Sequence, residues 1–140
     1  MVDYERILKH RNAVNNYASF MSIVTTEIKE GYAKVEMTIK PEHENAVGTI
    51  HGGAIFSLAD TAAGAAAASY GMRMTTVSSD FHFLSPAMGV EKLYAEAKAI
   101  KHGKKMSTLD VEIYADPVTR KLIAKGTFTY FNLGVPLFED

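Results

Sequence analysis

The sequence predicts an α+β domain in which a mainly antiparallel sheet curls around one long helix. The first observation is the order of elements, which runs helix, two strands, a long alanine-rich helix and four more strands. Runs of successive strands with segregated helices indicate an antiparallel sheet. The second observation is that one long helix can cover six strands only if the sheet curls around it. The length of 140 residues allows one core, so we expect a single domain over residues 1–140.

The segment before the long helix predicts a short helix and then a hairpin. In "DYERILKHRNAVNNY", Asp3 is a candidate N-cap, and the helix is expected to end among the asparagines. In "SIVTTEIKEGYAKVEMTIK", Glu30 and Gly31 supply a turn, after which apolar and polar residues alternate as in a half-buried strand. Pro41 is expected to close that strand, because proline has no N–H to donate to a ladder.

The long helix is predicted from near Gly53 to about Tyr70, after a loop over residues 41–52. An apolar stripe at helical spacing supports it, formed by Ile55, Leu58, Ala59, Ala62 and Ala66. Gly71 is the expected C-terminal stop. Gly64 is expected to have a packing reason, because glycine inside a helix costs about 1 kcal/mol.

Four further strands are predicted after this helix. Alternating apolar and polar residues indicate half-buried strands, and Pro86, Gly103 and the segment "ADPVTRK" separate them. The predicted strands are Thr75–Leu84, Lys92–Lys101, Ser107–Ala115 and Lys121–Phe131.

The composition excludes several classes of function. With 15 basic and 16 acidic residues the net charge is −1, which gives no electrostatic reason to expect a nucleic-acid partner. The sequence has no cysteine and its histidines lack close ligand spacing, so we expect no metal site. The N-terminal "MVDYERILKHRN" lacks the apolar core of a signal peptide, so a cytoplasmic location is expected. The run "AIFSLADTAAGAAAASYGM" contains Asp60 and predicts a buried helix, with no membrane span.

Asp60 is the most informative residue of the long helix. Helical spacing places it on one face with Ser57, Thr61 and Gly64, apart from the apolar stripe. It lies about two turns into the helix, where backbone N–H groups are already paired, so capping does not explain it. Two interpretations stay open: a solvated aspartate, or a partly buried carboxylate that acts as a base or nucleophile.

The start of the same helix offers a second chemical feature. Gly52 and Gly53 leave free, positively polarised N–H groups with no side chain to block a carbonyl oxygen, which is a candidate oxyanion hole. His51 and Asn45 lie close before it in the sequence, and the Asn45 amide could hold a water molecule or a carbonyl group.

The pattern "N-x-x-G-T-I-H-G-G-A-x-x-x-L-A-D" resembles the active-site signature of the hotdog-fold acyl-CoA thioesterases, in particular the phenylacetate-pathway and thioesterase-superfamily-member branch. The resemblance runs from about Phe20 to Phe131 and includes "FHFLSPA", which is similar to the third strand of that family and its proline exit. It implies a hotdog fold, in which a curled antiparallel sheet wraps one long central helix, and it implies hydrolysis of a thioester to a free acid and coenzyme A.

The resemblance also implies roles for individual residues. Asp60 matches the catalytic carboxylate, and Gly53 matches the residue whose N–H polarises the carbonyl. Asn45 matches the amide that positions water or substrate, and His51 a histidine near the thioester. In related dimers a hydroxyl residue on the third strand of the partner completes the site, which points to Thr76, with Ser78 as second candidate.

The resemblance further implies a homodimer or homotetramer with shared active sites, an acyl-CoA substrate and no cofactor. Lys101, Lys104 and Lys105 are candidates for contacts with the coenzyme A phosphates, although a solvated turn is the simpler interpretation of that segment. Two other functions stay open, a hotdog dehydratase of acyl-CoA or acyl-carrier-protein esters and a non-catalytic module that binds acyl-CoA.

Overall fold

The computed structural model describes residues 1–139, and Asp140 lies outside the described residues. A short 3-10 helix, Pro41–His43, lies in the loop before the long helix. The helices are α1 (Tyr4–Val14), α2 (Asn16–Phe20) and α3 (Gly52–Ala68), and the strands are β1 (Ile23–Lys29), β2 (Tyr32–Thr38), β3 (Met72–Phe83), β4 (Lys92–His102), β5 (Met106–Tyr114) and β6 (Leu122–Pro136).

The six strands form one antiparallel sheet in the order β1-β2-β4-β5-β6-β3. Helix α3 packs against all six strands, so the predicted curling of the sheet around one helix is confirmed. The edges are β1 and β3, and β3 is exposed along most of its length. An exposed edge strand presents unpaired backbone groups to a second chain.

Small residues allow α3 to sit deep in the sheet. The helix buries Ala59, Ala62 and Ala66 completely, and the sheet packs against them because alanine brings the helix backbone close. Gly64 has the expected packing reason, since a Cβ there would lie 3.0 Å from the Tyr130 hydroxyl and 3.2 Å from Arg11 Nη2. Within residues 1–139, none of the helices has both the length and the hydropathy that crossing a membrane requires.

The structure corrects the predictions for four elements. Helix α2 was not predicted, and it forms because Asn15 caps it by accepting a hydrogen bond from the Ala18 N–H (3.0 Å). Strand β3 begins earlier than predicted, and β6 continues to Pro136 because its last residues pair with the start of β3. Helix α3 begins one residue before Gly53 and ends at Ala68, and Gly71 follows with φ of +86° as the expected stop.

Glu96 is a nearly buried carboxylate on the outer face of the sheet. Burial alone would raise the pKa of Glu96, but hydrogen bonds from Tyr32 (2.6 Å), Tyr114 (2.7 Å) and Arg120 outweigh burial and lower the pKa to about 2. The carboxylate therefore links β2, β4, β5 and the loop before β6.

Glu96→Gln is expected to destabilise the protein by up to about 3 kcal/mol at pH 7, because the pKa lowered from 4.5 to about 2 stabilises the folded state above pH 4.5. As pH falls from 4.5 towards 2 the wild type loses this advantage, so the two proteins should converge. Urea unfolding across that range measures the difference, with the exposed Glu42→Gln as control. A constant difference at every pH would contradict this account.

Candidate active site

Asp60 is partly buried and held by hydroxyl groups from two strands. Its Oδ1 accepts a hydrogen bond from Thr76 Oγ1 of β3 (3.0 Å) and another from the Tyr130 hydroxyl of β6 (2.6 Å). The side chain therefore points towards β3 and β6 and borders a cavity of about 290 Å³. This geometry differs from that of a solvated aspartate on an open helix face.

Tyr130 determines which oxygen of Asp60 is free. Burial, followed by the negative charge of Asp60, raises the pKa of Tyr130 far above its usual value, so the hydroxyl stays protonated and donates. Its oxygen also lies 2.8 Å from the Asp60 carbonyl oxygen, which is a second, more distant acceptor for the same proton. Within residues 1–139, Oδ1 of Asp60 carries both side-chain hydrogen bonds and Oδ2 carries none.

Tyr130→Phe is expected to lower kcat for thioester hydrolysis about 10- to 100-fold, because the carboxylate loses a charge-assisted hydrogen bond worth roughly 1.5–3 kcal/mol. Steady-state kinetics with saturating acyl-CoA measure the effect on kcat. Tyr94→Phe, on the outer face of the sheet, is the control. A wild-type kcat in the Tyr130 variant would count against this role.

Thr76 contacts Asp60 of its own chain. The contribution of a hydroxyl by the partner subunit, which the resemblance implies, stays a prediction. Ser78, the second candidate, makes no side-chain hydrogen bond to Asp60 and pairs with Thr129 on β6.

The start of α3 forms a separate feature. His51 is the N-cap, and its Nδ1 accepts the Gly53 N–H at 2.7 Å, so a carbonyl oxygen can reach that N–H only when the exposed ring rotates away. Asn45 uses its amide within the preceding loop, donating to Thr49 Oγ1 (2.7 Å) and accepting from the N–H groups of Val47 and Thr49. The helix start borders an apolar cleft of about 200 Å³, which Phe83 helps to line.

Within one chain, the structure does not bring the helix start and the carboxylate together. Gly53 and Asp60 are seven residues apart on α3, which corresponds to about 10 Å along the helix axis. Ser57 lies between them, donating to the Gly53 carbonyl (2.8 Å) and bonded to the Tyr17 hydroxyl (2.8 Å). Attack needs about 3–3.5 Å between the reacting atoms and a donor about 3 Å from the carbonyl oxygen, so one carbonyl group cannot span this gap.

The three candidate lysines are exposed at the end of the β4–β5 hairpin. Lys101 lies in β4, and Lys104 and Lys105 lie at the turn. The Lys105 carbonyl accepts the Asn132 N–H (2.7 Å), and Asn132 is the partner of Met74, which lines the Asp60 cavity. Lys105 is therefore close to the paired ends of β3 and β6 that border the Asp60 cavity.

Two further residues of this cavity were not identified from the sequence, Tyr130 and Arg11. Tyr130 occupies an inward position of an alternating strand, which predicts a core residue. Arg11 lies in a helix whose charged residues gave no sign of a buried side chain. The only sequence signal was Gly64, whose missing side chain makes room for both groups.

The fold and the carboxylate site together define a hotdog-fold protein with a candidate hydrolytic centre. Comparison with known proteins shows to which family this hotdog-fold protein belongs. The sequence model of the thioesterase superfamily matches residues 47–121. A protein of Archaeoglobus fulgidus named as an esterase is 42% identical over 110 residues, which are 79% of this chain and 71% of that protein.

The Escherichia coli acyl-coenzyme A thioesterase PaaI is 34% identical over 96 residues, 69% of each chain. Its solved structure, from the phenylacetic acid degradation operon, superposes with a TM-score of 0.83 at 28% identity, covering 96% of this chain and 99% of that one. A Streptococcus mutans protein bound to acetyl CoA gives a TM-score of 0.77 at 25% identity, covering 84% and 93%. The chain belongs to the thioesterase superfamily and is a thioester hydrolase of the hotdog fold.

Proposed function

We propose that the protein hydrolyses acyl-CoA esters, with Asp60 as the reacting carboxylate and the start of α3 as the oxyanion hole. The observation that supports this most strongly is the arrangement of the Asp60 carboxylate. Two hydroxyl groups donate hydrogen bonds to Oδ1, while Oδ2 stays free beside a cavity. The relatives named as acyl-coenzyme A thioesterases, and the neighbour solved with acetyl CoA, support coenzyme A as the thiol.

In this reaction one C–S bond breaks and one C–O bond forms. Asp60 Oδ2 either removes a proton from water as the water attacks the carbonyl carbon, or attacks the carbon itself and forms an anhydride that water then opens. The coenzyme A sulfur leaves as a thiolate and takes up a proton, and the acyl group leaves as a carboxylate. The Gly53 N–H would stabilise the oxyanion that develops, a contribution worth about 3 kcal/mol for one such donor.

The active site is assembled between two copies of the chain. One copy supplies the Gly53 N–H and the apolar cleft at the start of α3, and the other supplies Asp60 with Thr76 and Tyr130, because the two groups are too far apart within one chain. The exposed edge β3, which carries Thr76, is a surface that a second copy can cover. The polar cavity and the apolar cleft then become two walls of one site.

Lys104 and Lys105 contact the coenzyme A phosphates in this proposal. Both side chains are exposed and make no ion pair within residues 1–139. They lie next to the strand end that leads to the cavity, so a bound thioester would place its charged end towards them.

A dehydratase needs a histidine paired with an acid, and no histidine among residues 1–139 is hydrogen-bonded or ion-paired to Asp60. A panel of acyl-CoA esters assayed by release of free thiol distinguishes a thioesterase from a dehydratase and from a non-catalytic binding module. A thioesterase releases one thiol per ester. A dehydratase forms an enoyl product without thiol, and a binding module raises the melting temperature without turnover; either result would overturn the proposal.

A further inference from the structure

Arg11 presents a cation to the Asp60 cavity. The side chain leaves the last turn of α1 and reaches α3, where Nη2 donates a long hydrogen bond to the Thr61 carbonyl (3.4 Å). Its Nε is buried and has no hydrogen-bond partner, and within residues 1–139 no ion pair joins Arg11 to a carboxylate. A buried N–H group without an acceptor is costly unless a ligand supplies one.

Nearby groups do not supply that acceptor. Burial lowers the pKa of the Arg11 guanidinium, and electrostatic interactions with Tyr130 and then with Asp60 oppose that effect. The Tyr130 hydroxyl already donates to Asp60, whose Oδ1 is occupied by two hydroxyls. Arg11 is therefore not the ion-pair partner of the candidate catalytic carboxylate.

The rest of the cavity is mainly polar and small. Asn15, Tyr17 and Thr75 line it together with the residues already described, and the volume of about 290 Å³ equals the space of about ten water molecules. Such a space takes a short acyl group and excludes a long alkyl chain, which would also leave the polar groups without water or partners.

The contacts around Gly64 limit the length of that acyl group. Arg11 Nη2 lies 3.2 Å from the position of a Cβ on Gly64, and the Tyr130 hydroxyl lies 3.0 Å from the same position. That hydroxyl is 2.6 Å from Asp60 Oδ1, so Nη2 and Oδ1 are at most about 9 Å apart. A chain of five carbons covers about 5 Å between its first and last carbon, so a five-carbon acyl group with its thioester carbon beside Asp60 is long enough to reach the guanidinium.

We propose that Arg11 binds the terminal carboxylate of a short dicarboxylic acyl group, so that the preferred substrate is a mono-coenzyme A thioester of about five carbons. This inference rests on the proposed function and names its substrate class. A carboxylate can accept two hydrogen bonds from one guanidinium, which a neutral oxygen cannot match in charge or geometry.

The test compares three esters of matched length, glutaryl-CoA, pentanoyl-CoA and the CoA thioester of glutaric acid monomethyl ester, by thiol release. For the wild type, kcat/KM for glutaryl-CoA should exceed that for the other two at least about 10-fold. Arg11→Met should lower the glutaryl-CoA value about 100-fold and leave pentanoyl-CoA within about 3-fold. Arg6→Met, on the same helix but outside the cavity, should change neither.

Thermal unfolding shows whether the Arg11 variant folds, and we expect its stability to be equal to or above that of the wild type, because a buried N–H group without an acceptor is removed. If that variant does not fold, the inference is tested by the Arg11→Lys variant and by the ratio of the wild-type kcat/KM values for glutaryl-CoA and its methyl ester. Equal rates for glutaryl-CoA and its methyl ester, or faster hydrolysis of pentanoyl-CoA, would overturn this inference while leaving the thioesterase proposal intact. Failure to hydrolyse these three esters while other acyl-CoA esters release thiol would overturn this inference alone, and failure with every acyl-CoA ester of the panel would overturn both.

Discussion

Asp60→Asn is expected to reduce kcat for acyl-CoA hydrolysis by about 100- to 10,000-fold, the usual range for loss of a positioned base. The amide oxygen can still accept the hydroxyls of Thr76 and Tyr130, so the variant should fold and bind substrate. KM should therefore change far less than kcat, because the lost interaction belongs to the transition state. Thiol release under saturating substrate measures the loss.

The matched control is Asp116→Asn, which makes the same chemical change in the exposed loop between β5 and β6. It should keep the wild-type rate within about 2-fold, since surface substitutions away from special features have small effects. Retention of more than a tenth of the wild-type kcat by the Asp60 variant would mean that another group activates the water.

Gly126→Ala should have the largest effect on stability. Gly126 of β6 lies where β3 crosses closest, and a Cβ there would overlap the Asp80 carbonyl and approach Phe81 Cα to 2.6 Å. Both are backbone groups, so relief requires β3 to move away from β6. We expect a loss of about 3 kcal/mol or more in the free energy of unfolding, at the upper end of overpacking costs.

Activity should fall as well, because displacement of β3 carries Thr76 away from Asp60. Chemical denaturation and thiol release measured on the same preparation test both effects. Gly89→Ala is the control, since a Cβ there meets nothing within 4 Å and only its φ of +66° is unfavourable, at about 1–2 kcal/mol. Equal stability losses in the two variants would show that the close approach of β3 is not the cause.

Most of the fold follows from local patterns in the sequence. The alternation after Gly31 and the glycine stop at Gly71 each reflect a local backbone requirement, so both were confirmed. Helix α2 was not predicted because five residues are too few to show a helical period of apolar residues. The end of β6 was not predicted because its pairing with β3 is a contact between distant parts of the sequence. The position of β3 at the sheet edge is likewise set by pairing that no local segment specifies.

The candidate site was predictable in its motif and not in its supporting residues. Asp60 was singled out because a carboxylate inside an apolar helix needs an explanation, and Thr76 because the resemblance assigned a hydroxyl to that strand. Tyr130 and Arg11 come from elements far apart in sequence, and their approach depends on the curling of the sheet and on the absence of a side chain at Gly64. No spacing along the chain encodes these contacts.

Subunit mixing tests the shared site most directly. Gly53→Pro removes the proposed oxyanion donor at a position in the first helical turn, where proline is tolerated, and Asp60→Asn removes the carboxylate. Each variant alone should be nearly inactive. Equal co-expression should restore about a quarter of the wild-type activity, because half of the pairs are mixed and one of their two sites is intact. If the mixture stays as inactive as its parents while the two chains are shown to associate, Gly53 and Asp60 do not meet across a subunit interface, and the proposed site is wrong.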